Sequence, residues 1–95
     1  MSRDTLQVLV VRTAAHVLGV RPEDVAQAGD LTEFSTYTSF RALDIVESLE
    51  QHLGVEVDAP DLVPHNLRSI DALCRMFQPR ADTGLAQMPK EPHGV

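Results

Sequence analysis

The chemistry this chain could carry is concentrated between Thr36 and Leu53, T-Y-T-S-F-R-A-L-D-I-V-E-S-L-E-Q-H-L. A hydroxyl-rich loop there turns into an amphipathic helix at Ser39. Ala42, Ile45, Val46, Leu49 and Leu53 recur at helical spacing and form one apolar stripe. At about 100° per residue, the opposite arc holds Phe40, Leu43, Asp44, Glu47, Glu50 and Gln51. The outward face therefore sets three carboxylates around two apolar side chains, with the Ser39 hydroxyl at its tip. A Ser in the first turn or at the cap can simply accept a backbone N–H. The same position also leaves a hydroxyl available for attachment. Ser35 is the chief rival hydroxyl. Asp44, Glu47 and Glu50 stand three residues apart, a like-charge spacing that costs a few tenths of a kcal/mol, roughly, in an isolated helix. A sequence that accepts this cost has a use for the charge.

Other site chemistry is not apparent. His16, His52, His65 and His93 are scattered, and none has a second ligand type at metal spacing. They read as surface or boundary residues. No glycine-rich phosphate loop is present. Cys74, the only cysteine, falls on an apolar stripe and reads as a small core residue. A bundle this short offers little room for a pocket of ~300 Å³. An enzyme is not expected, and no metal site is.

The elements that must position Ser39 are those of one domain of 95 residues, 43% hydrophobic, with room for a small core. Aromatic residues make up 4%, with no Trp, which argues against a stacking platform for single strands. Net charge is −6, and its distribution says more. Between Glu23 and Asp61 there are ten acidic residues and one basic residue, Arg41. Nucleic acid is thereby excluded as an expected partner, and a basic protein surface is favoured. The plainer reading of the same acids is a solvated face that maintains solubility. The start, M-S-R-D-T, resembles a polar helix and not a signal peptide. No apolar run approaches the ~20 residues needed to span a bilayer. A cytoplasmic monomer with no membrane association is expected.

Residues 1–19 read as the first helix. Ser2 or Asp4 caps it, Leu6, Leu9, Val10, Thr13, Ala14 and Val17 form its stripe, Leu18 lies at the edge, and Gly19 closes it. Pro22 suits the first turn of a short helix or a tight loop. Residues 26–38 form a long connection, of a length usually functional or pinned down. Leu31, Phe34 and Tyr37 are the expected pins. The second main helix spans Ser39–Leu53 and ends at Gly54. Residues 55–57 read as extended linker and 58–63 as one helical turn that Pro64 ends. Ser69 caps the last helix, with Ile70, Leu73, Cys74 and Phe77 on its buried stripe. The pattern stops at Phe77, so a domain of residues 1–78 and a disordered tail of residues 79–95 are predicted. The total is all-α: three main helices and one short one in a small four-helix bundle.

From about Leu6 to Phe77 the chain resembles the acyl carrier protein family, which includes the peptidyl carrier proteins. V-R-P-E-D-V at 20–25 is similar to the segment after the family's first helix. L-D-I-V-E-S-L-E-Q-H-L-G-V-E-V is similar to its second helix, closing Gly and following segment. The family's attachment motif is D-S-L, with a Gly two residues before the Asp. Here Thr38-Ser39-Phe40 takes its place, with Thr36 at the Gly position. The resemblance implies a four-helix bundle with right-handed twist. It implies a 4′-phosphopantetheine arm on Ser39, delivered from coenzyme A by a phosphopantetheinyl transferase. It further implies acyl or aminoacyl cargo held as a thioester. The other expected partners are a loading enzyme and a downstream synthase or transferase with basic docking patches. Asp44, Glu47 and Glu50 would meet those patches by charge, and Phe40 and Leu43 by apolar contact. Many carriers have an apolar residue at the position of Glu47. That departure and T-S-F together suggest a free-standing carrier of a specialised polyketide or nonribosomal peptide pathway. The alternative is an interaction module with the carrier fold and no arm.

Overall fold

The computed structural model describes residues 2–87, with side chains through Arg80. In chain order the helices are α1 (Arg3–Leu18), α2 (Pro22–Gln27), α3 (Ser39–Leu53), α4 (Pro64–Leu67) and α5 (Ile70–Gln87). Single 3-10 turns lie at Leu31–Glu33 and Ala59–Asp61. The fold is all-α, as the sequence predicts, and among the described residues it has two short α-helices where one was expected.

The start of α1 is set by Ser2, whose hydroxyl accepts the Thr5 N–H at 3.2 Å. Gly19 ends it at φ 71, and Gly54 ends α3 at φ 67, left-handed conformations that favour glycine. α1 packs against α2, α3 and α5, so its buried arc is wider than the predicted stripe. Val11 and Ala15 join it, and Leu18, read as an edge residue, is fully buried. Phe77, Leu6, Leu18, Leu31, Ile45, Leu49 and Leu73 are the large side chains at the centre. Each is worth about 1.5–3 kcal/mol relative to exposure, before the entropy of ordering it. Cys74 is buried among them, and burial pushes its thiol up, away from the thiolate.

Two prolines act differently from the sequence expectation. Pro64 does not end a turn; it starts α4 at the first helical position, where its missing N–H is harmless. Pro79 does not stop the last helix. α5 runs on to Gln87 with Pro79 inside it, so the boundary expected after residue 78 falls within a helix. Residues 88–95 of the expected tail lie outside the described residues. A proline removes one helical hydrogen bond. The next residue, Arg80, ties this part of α5 to the rest of the fold. Its Nη1 donates to the Met76 carbonyl at 2.7 Å, and its Nη2 pairs with Asp61 at 2.5 Å. These contacts are charge-assisted. A chain ending at Gln78 and the Arg80→Ala variant are both expected to melt about 4–8 °C lower, the shift for roughly 1 kcal/mol. Melting curves that superpose on the full chain would show that α5 beyond Phe77 adds no stability.

Candidate functional site

The residue that starts α3 is Thr38. It is extended (φ −141, ψ 166), and its hydroxyl accepts the Arg41 N–H at 3.1 Å. Ser39 is therefore the first helical residue and not the cap. Its side chain is exposed and makes no hydrogen bond among the described residues. The loop hydroxyls on Thr36 and Tyr37, like that on Thr38, are in use. Thr36 donates to the Leu18 carbonyl at 2.7 Å, and Tyr37 to the Leu67 carbonyl at 3.0 Å. Ser35 alone shares with Ser39 an exposed hydroxyl without a partner among residues 35–39.

Arg41 reaches back to α1. Its Nη1 donates to the Val17 carbonyl at 2.8 Å. With Thr36 it satisfies two carbonyls that α1 leaves free in its last turn, and its charge suits that end of the helix. The start of α3 is thus fixed on the end of α1, and Ser39 stands on a rigid junction.

The long connection is pinned on its other side. Leu31 is buried, and its N–H donates to the Arg68 carbonyl at 2.7 Å. Phe34 and Tyr37 pack half-buried on the core, as expected. Burial raises the Tyr37 hydroxyl above its usual pKa, and Asp30 adds to this, so Tyr37 stays a donor. The Asp30 carboxyl is lowered to about 2. The Thr32 hydroxyl at 2.6 Å is the first cause, then the Thr32 N–H at 2.9 Å, with the Arg68 guanidinium at 2.7 Å adding to them. A depressed carboxyl contributes stability above its unfolded pKa and loses it as pH falls through the folded value. Melting temperature should therefore fall between about pH 4, where an unfolded Asp titrates, and pH 2. Asp30→Asn should flatten that part of the profile, and an unchanged slope would remove Asp30 from the account.

Between this connection, α3 and α4 lies a cavity of about 270 Å³. Ala42, Leu43, Leu62, Pro64 and Leu67 supply its apolar wall, and Thr32, Tyr37 and Arg68 its polar edge. Ser39 lines it too. Its volume lies just below the ~300 Å³ for which a chain of this length was expected to have little room. It forms because α4, a single turn invisible to periodicity, is held against α3. Phe40, outside it, is 82% exposed, and Leu43 on its wall and Val63 beside it are each 41% exposed, large values for apolar side chains. Asp44 and Glu47 are exposed. Glu50 differs from them, being half-buried with its Oε2 accepting the Val57 N–H at 2.8 Å. Leu43 thus joins Ser39 at the cavity, Phe40 stands free beside them, and Asp44 and Glu47 continue the outer face.

No carboxylate, imidazole or thiol lines the cavity. Nothing there would deprotonate the Ser39 hydroxyl. The arrangement offers an attachment point with an apolar shelter and supplies no base of its own. Among the described residues no group of His, Cys, Asp and Glu could hold a metal ion, and no helix is long and apolar enough to cross a membrane.

Residues 8–77 match the family described as phosphopantetheine attachment site. No curated protein and no solved structure matches the chain. The matched span starts in α1, includes the junction at Ser39 and the cavity, and stops at Phe77 in the core. This chain belongs to the phosphopantetheine attachment family, whose members bear a covalently attached 4′-phosphopantetheine and are carriers, not catalysts.

Proposed function

We propose that Ser39 bears the arm and that the chain carries acyl or aminoacyl groups in a specialised natural-product pathway. The observation that carries this reading is the free, exposed Ser39 hydroxyl on a junction where Thr36, Tyr37 and Thr38 are all engaged by the fold. Ser39 Oγ would take the phosphoryl group of the arm from coenzyme A, losing its proton to the transferase as the nucleotide half leaves. The resulting phosphodiester would sit at the N-terminal end of a 15-residue helix, whose free N–H groups favour an anion. No acidic residue stands in the first turn of α3 to oppose it. The bound arm supplies a thiol that holds cargo as a thioester. Phe40, Leu43, Asp44, Glu47 and Glu50 form the surface that partners meet.

The departures from the family motif support a specialised role more than a lost attachment site. Thr36 and Thr38 replace the family's Gly and Asp, and each hydroxyl has a structural task. Glu47 puts charge where many carriers are apolar, which points to a different partner set. The test is an intact-mass measurement after incubation with coenzyme A and a broad-specificity transferase. A single phosphopantetheinyl adduct that fragmentation places on Ser39 is expected. No mass gain with several unrelated transferases, or an adduct on another residue, would refute the assignment.

A further inference from the structure

A second pocket lies between α4 and α5. Its volume is about 260 Å³, and Asp61, Asn66, Ala72, Arg75, Met76 and Arg80 line it. It shares no residue with the cavity at Ser39. Ala72 and Met76 are both buried and give it an apolar floor. One of its two guanidinium groups is committed to the fold. Arg80 pairs with Asp61, lies 3.6 Å from Asp58 and donates to the Met76 carbonyl. Arg75 is not committed in this way. It is exposed, meets Asp71 at 3.0 Å and donates no hydrogen bond among the described residues. Asp71 does not line the pocket, and it has a closer partner in Arg3 at 2.7 Å. Exposed pairs hold weakly. Arg75 can therefore turn to a ligand in the pocket and leave Asp71 paired with Arg3.

Asn66 offers the opposite polarity. Its Nδ2 donates to the Asp61 carbonyl at 2.9 Å, so Oδ1 is the end left over, an acceptor with no bond among the described residues. A free guanidinium takes a carboxylate, often through both oxygens. A free carbonyl oxygen takes an N–H, and an apolar floor takes an aliphatic stem. Together they suit an acidic residue within a peptide chain, whereas a bare anion would use Arg75 alone. The charge distribution agrees. Outside the stretch from Glu23 to Asp61 the sequence has seven basic and four acidic residues, so acids are attracted here and repelled at α3. We propose that this pocket docks an acidic segment of a protein partner. Arg75 holds a Glu or Asp carboxylate, Asn66 Oδ1 accepts a backbone N–H, and Ala72 and Met76 carry the stem. Such a partner is opposite in charge to one that meets Asp44 and Glu47, so the two surfaces select different proteins. The inference goes beyond the proposed function and needs no arm on Ser39.

Amide NMR shifts of the unmodified full chain, titrated at fixed ionic strength with a tetra-glutamate peptide blocked at both ends, test it. Saturable shifts are expected at Asn66, Ala72, Arg75 and Met76, with Ala42 and Ile45 of α3 unmoved. Arg75→Gln should weaken binding about tenfold or more, the loss of one charge-assisted contact. Its melting temperature should be nearly unchanged, since Arg75 is exposed. Arg21→Gln makes the same change of charge outside the pocket and should bind as the wild type does. Acetate at the same carboxylate concentration should bind at least tenfold more weakly than the peptide, and a blocked tetra-lysine peptide should not move these four amides. Absence of saturable shifts there overturns the proposal, as does an equal loss in Arg21→Gln, which would mean attraction by net charge alone. Acetate that matches the peptide would make this a simple anion site and overturn peptide docking. Tetra-lysine that shifts the same amides would overturn the assignment of charge. Loss of the Ser39 assignment would leave every one of these readings in place.

Discussion

Ser39→Ala should abolish the phosphopantetheinyl adduct and leave the fold intact. The two halves of this expectation come from different atoms. The adduct needs the Ser39 oxygen, which is exposed and has no bond to give up among the described residues. The helix start needs Thr38, whose hydroxyl accepts the Arg41 N–H at 3.1 Å. Removing the Ser39 hydroxyl therefore removes no cap, and Ala suits a helix at least as well as Ser. Melting should be unchanged in Ser39→Ala, whereas Thr38→Ala, which loses the cap, should lower it by about 4–8 °C for ~1 kcal/mol. Ser35→Ala and Ser48→Ala should keep the adduct. Thr38→Asp sharpens the test. Asp is as good a cap as Thr, and the family's Asp at this position takes part in transferase recognition, so modification should be faster with no loss of stability. Ser39→Ala protein that still gains the adduct would move attachment to another hydroxyl.

The parts of the fold that local chemistry decides were legible in the sequence. Ser2 and Gly19 bound α1, and Gly54 ends α3 at the predicted residue, because caps and left-handed glycines act over a few positions. The buried stripe of α3, Ala42, Ile45, Val46 and Leu49, follows from period alone. What escaped depends on contacts distant in sequence. α4 has four residues and one buried side chain, Leu67, too little for any periodic signal. The course of α5 past Pro79 accompanies a guanidinium that reaches Asp61 from Arg80. The cavity exists only because Leu62, Pro64 and Leu67 meet Ala42 and Leu43 from another part of the chain. At the site itself, Thr38 and Ser39 are adjacent cap-forming residues, so the sequence could not say which of them caps. In the folded chain Thr38 has that task, and Ser39 is left free among the described residues.

Reversing Asp44 and Glu47 together to Lys should reduce loading by a transferase about 10- to 100-fold in kcat/KM, with the melting temperature nearly unchanged. Both carboxylates are exposed and neither is paired among the described residues, so little in the fold depends on them. Glu50 is left out of the pair because its carboxylate holds the Val57 amide, and its reversal would confuse a docking effect with a local structural one. The stretch from Glu23 to Asp61 has ten acids and one base, and Arg41, that base, is turned to the end of α1. A cationic partner thus meets a field of one sign, which steers encounter and fixes orientation. Reversal replaces attraction with repulsion at two neighbouring points on the face. Salt provides the second readout. Exposed charges are screened over about 10 Å at 0.1 M, so wild-type loading should slow as salt rises. The reversed variant should show a flat or opposite dependence. Phe40→Ala on the same face should weaken loading without changing the salt slope, since its exposed ring contributes area and no charge. Loading that ignores both the reversal and salt would reduce the acidic face to a solubility feature and leave Phe40 and Leu43 as the surface that partners read.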